Sequence, residues 1–359
     1  MTDIYNFNAG PAILPKAVLA QARDEMLDYG GSGISILESS HRGKEYIAVQ
    51  EEAGRNLRAL LGISDDYAVL FLQGGASHQF AMVPMNLLGE GQVADYAHSG
   101  AWAKKAIAEA KRIGAVHIAA DCADDRPARV PDPDALDCST DAAYLHITSN
   151  ETISGAQWKR FPQTDAPLVA DMSSDILSRA IDVSQFGIIY AGAQKNLGPS
   201  GVTIVIIRKD LAERVSDSVP AILQYATHIK NDSMFNTPPC FSVYLVMLVT
   251  RWLEAQGGVG AMQAINEEKA AKLYGAIDAT EFYTGTAAPE CRSTMNVTFR
   301  LPSEELEAAF VKAATQQGMQ GLKGHRSVGG IRASIYNAFP ATGVDTLTGF
   351  MRDFEQKNG

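Results

Sequence analysis

The chain has 359 residues, 46% hydrophobic and 20% charged, which is enough for more than one buried core and unlike a disordered composition. Its 41 acidic residues against 31 basic ones give a net charge of −10, which argues against a general nucleic-acid or anionic-membrane surface. No long Lys/Arg run offsets that charge, and Lys104-Lys105 and Lys111-Arg112 read as solvated helix faces. Four cysteines with no Cys-x-x-Cys pair exclude a disulfide scaffold and a zinc or redox motif.

In chain order, Met1-Thr2-Asp3-Ile4-Tyr5-Asn6 lacks a basic stretch followed by an apolar one, and no apolar run reaches the length of a membrane span. A cytoplasmic protein with no membrane partner is expected. Lys44 to Leu61 carries a helical stripe at Tyr46, Ile47, Ala53, Leu57, Leu60 and Leu61. Val69 to Leu72 reads as a buried strand ending in Gly74-Gly75. Phe80 to Leu88 reads as a helix kinked at Pro84, and Trp102 to Ile113 as an Ala-rich helix. Val116 to Ile118, Tyr144 to Ile147, Leu168 to Ala170, Ile188 to Ala191 and Val202 to Ile207 read as further strands. Beyond about residue 260 come a helix at Glu267 to Ile277, a strand at Met295 to Phe299, a helix at Glu304 to Gln317, a strand at Ile331 to Ile335 and a helix at Asp345 to Gln356.

Alternating strands and helices predict an α/β fold with a mostly parallel sheet, followed by a small α+β domain. Such sheets bind ligands beyond the carboxyl ends of their strands. Three groups fall there: Gly74-Gly75-Ala76-Ser77, Asp171-Met172-Ser173-Ser174 and Gln194-Lys195-Asn196. A lysine in a desolvated Gly-rich loop becomes a neutral nucleophile, although an exposed loop lysine would look the same in sequence. Asp171 alone could simply cap a turn. Together, Lys195 and Asp171 suit pyridoxal chemistry, which needs an amine for the aldehyde and an acid beside the ring nitrogen. Amides at a helix N-terminus after Gly74-Gly75 would suit a phosphate, and Trp102 could stack on a ring. The chain carries neither Gly-x-x-x-x-Gly-Lys-Ser/Thr nor Gly-x-Gly-x-x-Gly.

The chain resembles the phosphoserine aminotransferases, a class-V family of fold-type-I pyridoxal-phosphate enzymes. The likeness runs through Asn6-Phe7-Asn8-Ala9-Gly10-Pro11-Ala12, Ser40-His41-Arg42-Gly43-Lys44 and Ala191-Gly192-Ala193-Gln194-Lys195-Asn196. It continues in Ser233-Met234-Phe235-Asn236-Thr237-Pro238-Pro239, Lys323-Gly324-His325-Arg326 and Gly329 to Ala338. The resemblance implies a large domain with a seven-stranded sheet over residues 16–262, and a small domain from residues 1–15 and 263–359. It implies that Lys195 binds the aldehyde of pyridoxal 5'-phosphate and shuttles a proton, while Asp171 pairs with the ring nitrogen. Trp102 would stack on the ring, and Thr152 would bond its phenolic oxygen. Ser173, Gln194 and the Ala76-Ser77 amides would hold the phosphate, joined by Asn236 and Thr237 from the partner of a homodimer. Arg332 would take the substrate α-carboxylate, and His41, Arg42, His325 and Arg326 the distal phosphate or carboxylate. No metal is implied.

The implied reaction moves the amino group of glutamate to 3-phosphohydroxypyruvate in serine synthesis, yielding 2-oxoglutarate and phosphoserine. A second substrate in vitamin B6 synthesis is implied as well. Two departures stand out. Many relatives carry Gly-Arg where this chain has Ala76-Ser77, and a serine where it has Ala9. The rival enzyme reading, a cysteine desulfurase-like lyase, would need an activated cysteine, for which Cys291 is the nearest candidate. A cofactor-binding regulator without turnover would be expected to carry an appended DNA-binding segment, for which 359 residues leave no room.

Overall fold

The computed structural model describes residues 4–359, so the Met1-Thr2-Asp3 start of the export reading and of the 1–15 span lies outside the described residues. Seven strands form the central sheet: β1 (Tyr67–Leu72), β2 (Val93–His98), β3 (Ala115–Asp121), β4 (Leu145–Thr148), β5 (Leu168–Asp171), β6 (Ile188–Gly192) and β7 (Thr203–Arg208). Their order is β1-β7-β6-β5-β4-β2-β3. Only β7 runs antiparallel to its neighbours, so the other six strands share one direction and their carboxyl ends line one edge. This is the fold-type-I α/β architecture.

Alternation along the strands decides what each face buries. Ile189, Ala191, Ile204 and Ile206 point to one layer, with α1 (Lys44–Leu61) and a second helix, Cys240–Ala255. Ile188, Tyr190, Val205 and Ile207 point to the other, with α2 (Gly75–Leu87) and α3 (Ala101–Ile113). Strands buried on both faces read as continuous apolar runs, which is why they were visible in sequence. Each such Ile or Val contributes about 1.5–3 kcal/mol of burial.

Cys240–Ala255 is α4, and Gly258–Asp278 is α5. Strands β8 (Thr284–Gly285), β9 (Asn296–Arg300) and β10 (Ile331–Ser334) make an antiparallel sheet in the order β8-β9-β10. With α6 (Glu304–Gln316) and α7 (Ala341–Asn358) they enclose a separate cluster that includes Phe299, Phe310, Ile331, Leu347 and Phe350. The start of α6 is fixed locally: Ser303 accepts the Leu306 N–H at 3.3 Å, and Glu304, Glu305 and Glu307 suit the positive end of the helix. The N-terminal Tyr5–Asn6 pairs with Met319–Gln320, and Phe7 joins this second cluster.

Several boundaries differ from the sequence reading. The helix expected from Phe80 begins at Gly75 and runs through Pro84, so Ala76 and Ser77 lie in its first turn. The helix expected from Glu267 begins at Gly258. Helix α4 carried no sequence reading because it is buried without a break from Val243 to Thr250, leaving no polar face to set a period. Strand β2 was hidden by Asp95, a buried carboxylate that accepts the Ser139 amide at 2.7 Å and its hydroxyl at 2.8 Å. Among the described residues, no helix is long and apolar enough to cross a membrane.

Candidate active site

Five strand ends deliver the site. Lys195 follows β6 in the Ala193–Ser200 turn, half-buried, with its Nζ 5.3 Å from the Trp102 ring centroid. Burial lowers its pKa, while the carboxylates of Asp171 and Glu151 push it back up and the nearby Arg332 adds to the lowering. Asp171 ends β5, beside β6. Its Oδ1 accepts the Ser173 amide at 2.9 Å and the Ser173 hydroxyl at 2.6 Å. Burial raises its pKa, and Lys195 and Ser173 hold it down. The expected Lys/Asp pair therefore shares one electrostatic environment.

Trp102 stands in the first turn of α3, after β2. Its indole Nε1 donates to Thr152 Oγ1 at 2.8 Å, while the hydroxyl proton of Thr152 has no acceptor among the described residues. The Thr152 carbonyl accepts Nη1 of Arg332 at 3.1 Å. Arg332 sits on β10, so the small sheet reaches the large one at this point. Its Nε is buried without a partner among the described residues, and burial lowers its pKa without threatening its charge.

The other expected residues divide. The Ser173 hydroxyl donates to Asp171 at 2.6 Å and accepts the Gly192 N–H at 3.1 Å. Gln194 anchors the N-terminal segment, its carbonyl accepting the Ala12 amide at 2.8 Å. Gly74 has a left-handed φ of 87°, and a Cβ there would stand 2.4 Å from the His78 ring. That turn presents the first amides of α2, at Ala76 and Ser77. Asn236 and Thr237 are exposed and pair with the Gln73 side chain in their own chain, at 3.4 and 3.1 Å. His325 lies close enough to Arg332, Arg326 and Lys105 for burial and their charges to lower its pKa. Arg326 itself is exposed and lines a surface cavity with Glu304 and Glu307. Neither His41 nor Arg42 makes a side-chain hydrogen bond or ion pair to these groups among the described residues; both lie just before α1, which packs against α4.

Sequence reasoning missed Glu151. It is fully buried and accepts the Trp102 and Ala103 amides at 3.2 and 3.1 Å and the Ser99 hydroxyl at 3.4 Å. A Cβ on Gly100 would stand 2.7 Å from its carboxyl carbon, which is why a glycine precedes α3. Burial raises the Glu151 pKa to about 7, against the pull of the Ala103 and Trp102 amides. The polar run Thr148 to Thr152, directly after an apolar strand, was the available signal.

Close together, then, stand an amine, a carboxylate, a threonine hydroxyl, an indole and a guanidinium whose Nε has no partner among the described residues. These groups fit pyridoxal 5'-phosphate: an amine for its aldehyde, an acid for its ring nitrogen, a donor for its phenolic oxygen and a flat ring for stacking. Fold and site define a transaminase that depends on pyridoxal phosphate.

The class-V aminotransferase model matches residues 4–347. A phosphoserine aminotransferase of Herpetosiphon aurantiacus is 54% identical over 358 residues, covering 99% of each chain. The solved phosphoserine aminotransferase of Bacillus circulans subsp. alkalophilus superposes with a TM-score of 0.96 at 53% identity, over 99% of each chain. The PLP-bound enzyme of Trichomonas vaginalis gives 0.93 at 43% identity, over 98% of this chain and 100% of that one. This chain belongs to the class-V aminotransferase family.

Proposed function

We propose that the chain transfers the amino group of glutamate to 3-phosphohydroxypyruvate, releasing 2-oxoglutarate and phosphoserine in two half-reactions at one site. The observation that carries this reading is the shared pocket of Lys195, Asp171 and Trp102, with Arg332 at its rim. When bound, pyridoxal 5'-phosphate supplies an aldehyde for the amine and a ring that takes up electrons from the substrate Cα.

The chain's own residues do the rest. Lys195 Nζ, whose pKa burial lowers, removes and returns the proton at the substrate Cα. Asp171, whose Oδ1 is taken by Ser173, would keep its other oxygen for the ring nitrogen and hold a proton there. The Ser173 hydroxyl thus supports Asp171 and leaves the phosphate to the first amides of α2 and to Gln194. Thr152 offers its free hydroxyl proton to the phenolic oxygen, and Trp102 covers the ring. Arg332 grips the α-carboxylate that glutamate and phosphoserine share. His325, in an electropositive setting, receives the distal anion. The phosphorylated hydroxy-threonine precursor of vitamin B6 carries the same two anions and suits the same grips.

A homodimer completes the site. Gln50 Nε2 donates to the Asp232 carbonyl at 2.6 Å and so ties α1, which follows His41 and Arg42, to the segment holding Asn236 and Thr237. All four therefore belong to one block, which a two-fold partner would present together. Exposed Leu27, Leu37 and Phe235 support an apolar contact there. The separate hydrophobic clusters support a division into residues 16–262 and residues 1–15 with 263–359. The cytosol is the compartment where these substrates would be met.

The test is spectroscopic and chemical. Glutamate added to the purified, cofactor-loaded protein bleaches its visible band and yields 2-oxoglutarate, and 3-phosphohydroxypyruvate restores the band. Lys195→Ala shows neither change. An alanine variant that turns over at the native rate ends the assignment.

A further inference from the structure

Lys269, in α5, is 2% exposed and has no carboxylate partner among the described residues. Its Nζ donates instead to three backbone carbonyls: Ile335 at 3.0 Å, Tyr336 at 2.8 Å and Phe339 at 3.1 Å. A buried ammonium without a counter-charge is expensive, so it persists only where its protons are matched. Here three protons meet three acceptors. Burial pulls the amine down to about 7, and the carbonyl dipoles oppose that loss of charge.

The loop that these carbonyls close follows β10 and grips the catalytic turn from two sides. On one side, the Tyr336 hydroxyl donates to the Ala9 carbonyl at 2.7 Å and accepts from Asn296 Nδ2 at 3.1 Å. The next residue, Gly10, lies beside Lys195: a Cβ there would make ordinary contact, 3.5 Å from both Cγ and Cε of that side chain. On the other side, the Asn337 amide donates to Asn196 Oδ1 at 3.1 Å. Asn196 Nδ2 in turn donates to the carbonyls of Ser174 and Ile176, both at 3.2 Å.

We propose that Lys269 is a positioning residue for Lys195: its ammonium gathers the carbonyls of Ile335, Tyr336 and Phe339, so that Tyr336 holds the Ala9 carbonyl and Asn337 holds the Asn196 side chain, one on each side of the reactive lysine. This rests on Lys195 as the catalytic amine, and it adds a second lysine that never meets substrate. If Lys269 merely tied the loop to α5, its loss would loosen residues 335–339 and lower the melting temperature, with turnover unchanged.

Lys269→Met keeps the stem and removes the three donors. Hydrogen exchange of the cofactor-free variant, read by mass spectrometry, is expected to speed up at residues 335–339 and also at residues 193–198. In the loaded enzyme, kcat is expected to fall about tenfold or more while KM for glutamate stays within about twofold, since a misplaced amine costs turnover rather than ground-state binding. Faster exchange confined to residues 335–339 with native kcat overturns the proposal. If Lys269→Met does not fold, Tyr336→Phe decides, because it removes the hydroxyl that grips Ala9 and accepts from Asn296 while leaving the ring in place. It should show a smaller loss of the same kind, in kcat alone, and native kcat with native exchange at residues 193–198 overturns the idea. The exchange arm uses no substrate, so a wild-type protein inert toward glutamate would sink the functional reading and leave this one decidable.

Discussion

Replacing Arg332 by lysine separates charge from shape. The guanidinium spends Nη1 on the Thr152 carbonyl at 3.1 Å, and its Nε is buried without a partner. The Nε and Nη2 edge is therefore left as a side-on fork for a carboxylate. Lysine keeps the positive charge but offers a point donor, so one of two charge-assisted hydrogen bonds is lost. Each is worth about 1.5–3 kcal/mol. At 1.4 kcal/mol per decade, kcat/KM for glutamate should fall about 10- to 150-fold. The α-carboxylate is common to both amino-acid substrates, so phosphoserine in the reverse direction should lose the same factor. Steady-state kinetics with each amino donor measures both. A loss below about threefold, or one confined to a single substrate, would refute the assignment of Arg332 to the shared carboxylate.

Glu151 makes a pH prediction. Its pKa is raised to about 7, so the folded protein holds a proton that the unfolded chain releases at lower pH, and stability from this group declines from about the normal carboxylate range up to about 7 and is flat above. Protonation also weakens its hold on the Trp102 amide, so Trp102 fluorescence should titrate with a midpoint near 7, and Glu151→Gln should abolish that step. An unchanged titration in the variant would remove Glu151 from the site. Cys122 and Cys291 are buried, and burial pushes the Cys122 thiol up to about 12, so thiol alkylation of the native enzyme should leave transamination intact. Activity lost in step with labelling of Cys291 would revive the desulfurase-like alternative.

The sheet was legible because strands such as Ile188–Gly192 and Thr203–Arg208 are buried on both faces and leave unbroken apolar runs. Asp171 and Lys195 stood out because each is a polar residue soon after such a run, and the family likeness proposed roles for Trp102, Thr152 and Arg332; the structure brings these five residues into one neighbourhood. What stayed hidden depends on distant partners. Lys269 looks like a solvent-facing position in a helix, and its carbonyl ligands lie 66 to 70 residues away. Ser173 looked free to hold an anion, but its nearest acceptor proves to be Asp171, two positions back. Glu151 stood next to an expected residue, yet its task is set by the amides of α3, which begins fifty residues earlier in the chain. Arg326, chosen for its charge, is exposed and shares a surface cavity with Glu304 and Glu307.

Thr152 faces two ways, taking the indole proton on its side chain and the guanidinium proton on its backbone. The residue proposed to cover the ring and the one proposed to grip the substrate therefore lean on a single support. Substitutions at Trp102 and Arg332 should accordingly fail to add, because each frees Thr152 to relax toward the other. Anyone altering the amino-donor range of this enzyme at position 332 should expect the cofactor's fit to change with it.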